Sequence, residues 1–179
     1  MLQRSLIKLN NSLSKDFDHR KSVTLEITKV SLIASLYVVV TFMFAVISFG
    51  VIQFRVSEMF NYLALYNKRY VVGVTLGVVF ANFLSPTWVL DVPIGGISTF
   101  LVLILCRYLT KSIQSYILKI VVTAIVFSVS MFTVAAQLTI LLDLPFMSTW
   151  LIVGLGELVS MTIGGIVVYL LSKKIDLTK

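Results

Sequence analysis

The chain has 179 residues, of which 58% are hydrophobic and only 13% are charged. A water-soluble domain carries about 45–50% apolar and about 25% charged residues, so a soluble fold of this size is excluded and a lipid bilayer is the expected solvent. One histidine (His19) and one cysteine (Cys106) rule out an internal disulfide and argue against a protein-built zinc site or a Cys/His nucleophile.

Residues 1–26 mix Arg4, Lys8, Lys15, Asp16, Asp18, Arg20, Lys21 and Glu26 with no continuous apolar run. They read as a cytoplasmic segment, either a surface helix or disordered, and not as a signal peptide. A membrane domain follows over 27–172, then a short tail over 173–179. Crossing about 30 Å of hydrocarbon takes about 20 apolar residues in a helix. Val30–Phe54 is free of charge and gives the first span. Val56–Tyr66 is short and carries Glu58, so hydropathy alone supports it weakly. Tyr70–Leu90 is uncharged, with Pro86 expected to end a helix inside it. Val92–Cys106, Ile120–Leu142 and Leu144–Ser172 complete the series, the last interrupted by Glu157 alone.

Charge placement turns these spans into a sided arrangement. With six crossings and the N-terminus inside, the inner segments hold Arg4, Lys8, Lys15, Arg20, Lys21, Lys29, Lys68, Arg69, Arg107, Lys111, Lys119, Lys173, Lys174 and Lys179. Of the 15 basic residues, only Arg55 falls outside. Basic loops mark the cytoplasmic side, and basic clusters at both ends require an even number of crossings. The expected fold is therefore an all-α bundle of six transmembrane helices with both termini cytoplasmic. One alternative stays open: Phe54–Leu84 as a re-entrant hairpin, leaving four true spans. The net charge of +7 does not imply nucleic-acid binding. The bases sit in short runs at span ends, where they fix topology and meet anionic headgroups.

The acids carry more information. Glu58, Asp91, Asp143 and Glu157 fall in the outer half or within spans, against the single base Arg55. A carboxylate in a membrane span is costly and usually faces a cavity or a partner. Arg55–Glu58 reads as an ion pair and Asp143 as a loop acid, whereas Glu157 has apolar neighbours for more than a turn on both sides. An acid-lined outward cavity suits a cationic or donor-rich ligand. Small residues recur every four positions at Gly73, Gly77 and Ala81, and again at Gly156, Ser160 and Gly164, a spacing that lets membrane helices approach closely. The chain has no Gly-x-x-x-x-Gly-Lys-Ser/Thr loop, so it is not a transport ATPase by itself. It also lacks a Gly-x-Ser-x-Gly elbow and a His-Glu-x-x-His pair, and no enzyme activity is expected.

The stretch Gly50-Val-Ile-Gln-Phe-Arg-Val-Ser-Glu58 resembles the signature after the first helix of the QueT family of queuosine-precursor transporters. The resemblance continues through Gly77, Ala81-Asn82, Ser85-Pro86 and Asp91 to Gly154-Leu-Gly-Glu157. It implies the substrate-binding S component of an energy-coupling factor (ECF) transporter in a prokaryotic plasma membrane. A transmembrane T subunit and two ATPases would be its partners, with no cofactor or metal of its own. S components often dock on the T subunit through an Ala-x-x-x-Ala pattern in the first helix. Here the nearest spacing is Ser31-x-x-x-Ser35, with Ala34 beside it, so the pattern is only partly kept.

The ligand implied by the resemblance is a 7-deazaguanine, the 7-aminomethyl form first. Its ring N–H and exocyclic amine form two parallel donors that a carboxylate can accept, and its aminomethyl cation needs a second acid. Glu157 and Asp91 are the leading pair, with Glu58 the alternative. Asn82, Gln137 and Gln53 offer amide groups. Phe54, Trp88 or Trp150 offers a stacking face, and Arg55 is expected to pair with Glu58. Two other classes compete: a stand-alone secondary transporter or multidrug exporter using Glu157 as a coupling acid, and a membrane assembly protein with no ligand.

Overall fold

The computed structural model describes residues 2–48 and 54–177, with side chains from residue 20 onward except those of 46 and 47. Gly50–Gln53, the first half of the motif, therefore lies outside the described residues. Every regular element among the described residues is helical. In chain order these are α1 (Leu2–Met43), α2 (Ala45–Ser48), a 3-10 helix (Val56–Tyr62) that runs into α3 (Leu63–Tyr66), α4 (Arg69–Asn82), α5 (Trp88–Thr110), α6 (Tyr116–Ser130), α7 (Phe132–Leu142) and α8 (Phe146–Ser172).

Among the described residues, four stretches are long and apolar enough to cross a membrane: Arg20–Met43, Trp88–Thr110, Tyr116–Leu142 and Phe146–Ser172. They coincide with four of the expected spans, although the first helix stops at Met43 rather than running to Phe54. The Tyr116–Leu142 stretch is interrupted at Met131. There Ser130 Oγ donates to the Phe127 carbonyl and Thr133 Oγ1 to the Ser130 carbonyl, at 2.7 and 3.0 Å. Such side-chain bonds to nearby carbonyls bend helices.

The middle pair is shorter. The 14 residues of α4 rise about 21 Å, and the helix ends at Asn82, ahead of Pro86. The 3-10 helix covers its seven residues at about 2.0 Å each, stretching further than an α-helix would. Its three-residue repeat also explains the form chosen. Arg55, Glu58 and Asn61 are three apart, so a 3-10 winding stacks them on one side, where Glu58 joins both neighbours.

Small residues set the helix spacing. A Cβ at Gly77 would fall 2.6 Å from the Tyr37 Cβ, and one at Gly73 would fall 3.1 Å from the Val30 carbonyl oxygen, so α4 lies directly against α1. Glu26 and Arg69 pair across the same contact at 3.3 Å. On α8, a Cβ at Gly164 would meet the Met59 Cβ and Cα at 2.6 and 2.7 Å. Because backbone stands in the way, Gly164→Ala is expected to cost about 1–3 kcal/mol of stability through overpacking. A lowered melting temperature in detergent checks this, and an unchanged one contradicts the packing.

Candidate functional site

A cavity of about 480 Å³ opens between the 3-10 helix, α4, α5, α6, α7 and α8, within the roughly 300–1,000 Å³ usual for small-molecule sites. Its rim comes from the α4–α5 turn (Ser85–Thr87) and the α7–α8 turn (Leu142, Leu144, Pro145), both at one end of the bundle. Glu157 lies on its wall, 11 residues into α8 from Phe146, about 16 Å along the helix by its rise. The walls are mostly apolar, and among the described residues Phe127 is the aromatic side chain on them.

Three polar assemblies surround this space. The first is centred on Glu58. Tyr37 donates its hydroxyl to Glu58 Oε1 at 2.8 Å, Asn61 donates to Oε2, and the Arg55 guanidinium lies 3.7 Å away. Ser57 and Thr41 share a 2.6 Å hydrogen bond beside it. The Arg55 backbone N–H donates to Ser160 Oγ at 3.1 Å, and Ser160 donates in turn to the Gly156 carbonyl. This assembly joins α1, the 3-10 helix and α8. It also shows that Ser160, which the sequence offered as a packing spacer, serves as a hydrogen-bond relay.

The second assembly is centred on Asp91, in the first turn of α5. Its Oδ2 accepts from Ser85 Oγ and, at 2.6 Å, from Thr87 Oγ1. Its Oδ1 accepts from Gln137 Nε2 on α7. Asn82 Nδ2 donates to the Asp91 carbonyl oxygen at 2.7 Å. The rim turn, the start of α5 and α7 are therefore tied through one residue.

The third group is what these networks leave over. Two cavity-lining side chains have a buried oxygen with no hydrogen-bond partner among the described residues: Glu157 Oε1 and Asn82 Oδ1. Glu157 is 3% exposed and lies within electrostatic reach of both Glu58 and Arg55. A buried carboxylate normally has hydrogen-bonding partners. Glu157 is short of donors, and the cavity beside it is where a donor can enter.

The geometry can be set beside known proteins. Residues 27–173 match the family model of the QueT transporter. The chain belongs to the QueT transporter family. A relative from Lactococcus lactis subsp. cremoris (strain MG1363), named queuosine precursor transporter QueT, is 41% identical over 176 residues, covering 89% of this chain and 99% of the relative. No solved structure matches the chain. This QueT-family chain is accordingly a multi-pass transporter of the plasma membrane.

Of the residues expected at a QueT site, Arg55, Glu58, Asn82, Asp91, Gln137 and Glu157 all line the one cavity. Gln53 lies outside the described residues. Phe54 and Trp88 are not on the cavity wall: Trp88 is half-exposed and stacks against Phe83, with ring centroids 5.7 Å apart. Trp150 donates its indole N–H to the Val129 carbonyl at 3.1 Å and is also off the wall. Sequence reasoning missed Phe127 and the hydroxyls of Ser130, Thr133, Ser148 and Thr149, all of which line the cavity. Phe127 was hidden inside an unbroken apolar run, with no polar neighbour to single it out. On α1, Ser31 and Ser35 are exposed, whereas Ala34 is buried against Gly77. The three therefore do not share one face.

Proposed function

We propose that the chain is the substrate-binding S component of an ECF importer and takes up a 7-deazaguanine precursor of queuosine, the 7-aminomethyl form foremost. The observation that carries this reading is the cavity with its donor-starved carboxylate, Glu157, in a chain whose relative is named a queuosine precursor transporter. Energy would come from a transmembrane T subunit and two ATPases, since the chain has no phosphate-binding Gly-x-x-x-x-Gly-Lys loop. The cavity-lining charges support a cationic ligand: Glu58, Asp91 and Glu157 stand against Arg55 alone. Phe127 supplies the wall on which a flat base can lie, and the T subunit would dock on the Ser31/Ser35 side of α1.

Six crossings with cytoplasmic termini complete the proposal. The placement of 14 of 15 basic residues on one side supports it, with the 3-10/α3 segment and α4 as the two short crossings. A cysteine placed at Asn67 is expected to react only with a membrane-permeant reagent. Labelling of intact cells by an impermeant reagent contradicts the six-span arrangement and favours the hairpin. For function, uptake of 7-aminomethyl-7-deazaguanine should require co-expression of the T subunit and ATPases. Transport by the chain alone, driven by a proton gradient, would instead make Glu157 the coupling acid of a secondary transporter.

A further inference from the structure

We propose, on the strength of that reading, that the cavity recognises its ligand through two acceptors, Glu157 and Asn82, that Asp91 is a positioning residue, and that the exocyclic amine of a guanine-type base is the group selected. The polar network decides which groups are free. Both oxygens of Asp91 already accept, from Ser85, Thr87 and Gln137. Those bonds hold the rim turn and the Gln137 amide in place. Asn82 has its orientation fixed as well. Its Nδ2 donates to the Asp91 carbonyl oxygen at 2.7 Å, and a flipped amide would set oxygen against oxygen, so Oδ1 is the atom left over.

A carboxylate can only accept, and Glu157 Oε1 has no partner among the described residues. The lining therefore offers unpartnered acceptors on α4 and α8, while Asn82 Nδ2 and Gln137 Nε2 each already donate to Asp91. A ligand rich in donors answers this arrangement. A guanine-type edge presents a ring N–H and an amine side by side, and a carboxylate takes both. Removing the amine gives a hypoxanthine-type edge and leaves a carboxylate oxygen unpaired. Replacing it with a carbonyl gives a xanthine-type edge and sets two acceptors face to face. Sites built to bond a group reject analogues that lack it, because their own buried polar atoms stay unsatisfied.

The test is an equilibrium titration of the purified chain in detergent. Its probes are 7-aminomethyl-7-deazaguanine and the counterpart in which hydrogen replaces the exocyclic amine. Wild type is expected to prefer the guanine form by about 100-fold or more. In Glu157→Gln, the amide sets a donor against one ligand donor, and the preference should fall below about 10-fold. Asp91→Asn should weaken both probes together and keep their ratio. A wild-type ratio near one overturns the proposal without any variant. So does a ratio that survives Glu157→Gln, or one that collapses in Asp91→Asn. Failure of wild type to bind either probe overturns the deazaguanine reading itself, a separate result.

Discussion

Glu157→Ala is expected to weaken binding of 7-aminomethyl-7-deazaguanine by about 100-fold or more, about 2.7 kcal/mol, while the melting temperature of the empty protein stays level or rises. The two halves of this prediction have one cause. In the unliganded chain the Glu157 carboxylate is buried and its Oε1 has no partner among the described residues. Desolvation is a cost that the fold does not recover locally. A ligand that brings donors and positive charge would recover it, so the proposed site would bind tightly for the same reason that it is locally unfavourable. Near-wild-type affinity in the variant removes Glu157 from the site. Loss of stability together with affinity reassigns it to the fold.

Glu58→Ala is expected to do the opposite, lowering stability by about 3–5 kcal/mol. Glu58 is surrounded by groups that depend on it: the Tyr37 hydroxyl, the Asn61 amide and the Arg55 guanidinium. Truncation leaves two buried donors without their acceptor and removes the carboxylate 3.7 Å from the Arg55 guanidinium. The loss spreads through α1, the 3-10 helix and α8, all joined at this point. Tyr37→Phe removes one charge-assisted bond and should cost about 1.5–3 kcal/mol. Denaturation of the purified variants in detergent checks the order. A Glu58→Ala protein as stable as wild type would remove this assembly from the account of the fold. The two glutamates thus divide by their partners: both Glu58 oxygens accept hydrogen bonds, whereas Glu157 Oε1 has no partner among the described residues.

The sequence made three later spans legible because each is a long apolar run whose ends carry turn or charge signals. Those runs became α5, α6 with α7, and α8. The Val56–Tyr66 segment was harder to see for a physical reason. Hydropathy assumes an α-helix facing lipid, whereas these residues wind as a 3-10 helix into α3 and bury Ser57, Glu58 and Asn61 among protein groups. Its polarity records internal contacts rather than exposure to water. The end of the first helix at Met43 had no sequence signal at all, since the apolar run continues past it.

For the site, residue type was informative and pairing was not. Glu157 stood out because a lone carboxylate in an apolar helix needs a reason to be there, and it does line the cavity. Asp91 also stood out as an acid, but no spacing rule shows that Ser85, Thr87 and Gln137 occupy its oxygens. The Ser and Thr partners are near in sequence, whereas Gln137 is 46 residues away. Aromatic candidates chosen for their size, Trp88 and Trp150, went to other contacts, while Phe127 reached the cavity from within a featureless run.

On the proposed function, this one chain carries, before any partner is added, a cavity that holds a 7-deazaguanine. Isothermal titration of 7-aminomethyl-7-deazaguanine into the purified chain tests it most directly. The expected result is saturable binding at one ligand per chain, weakened about 100-fold or more when Glu157 is replaced by alanine. Absence of binding by a folded wild-type chain, or binding indifferent to Glu157, would contradict it.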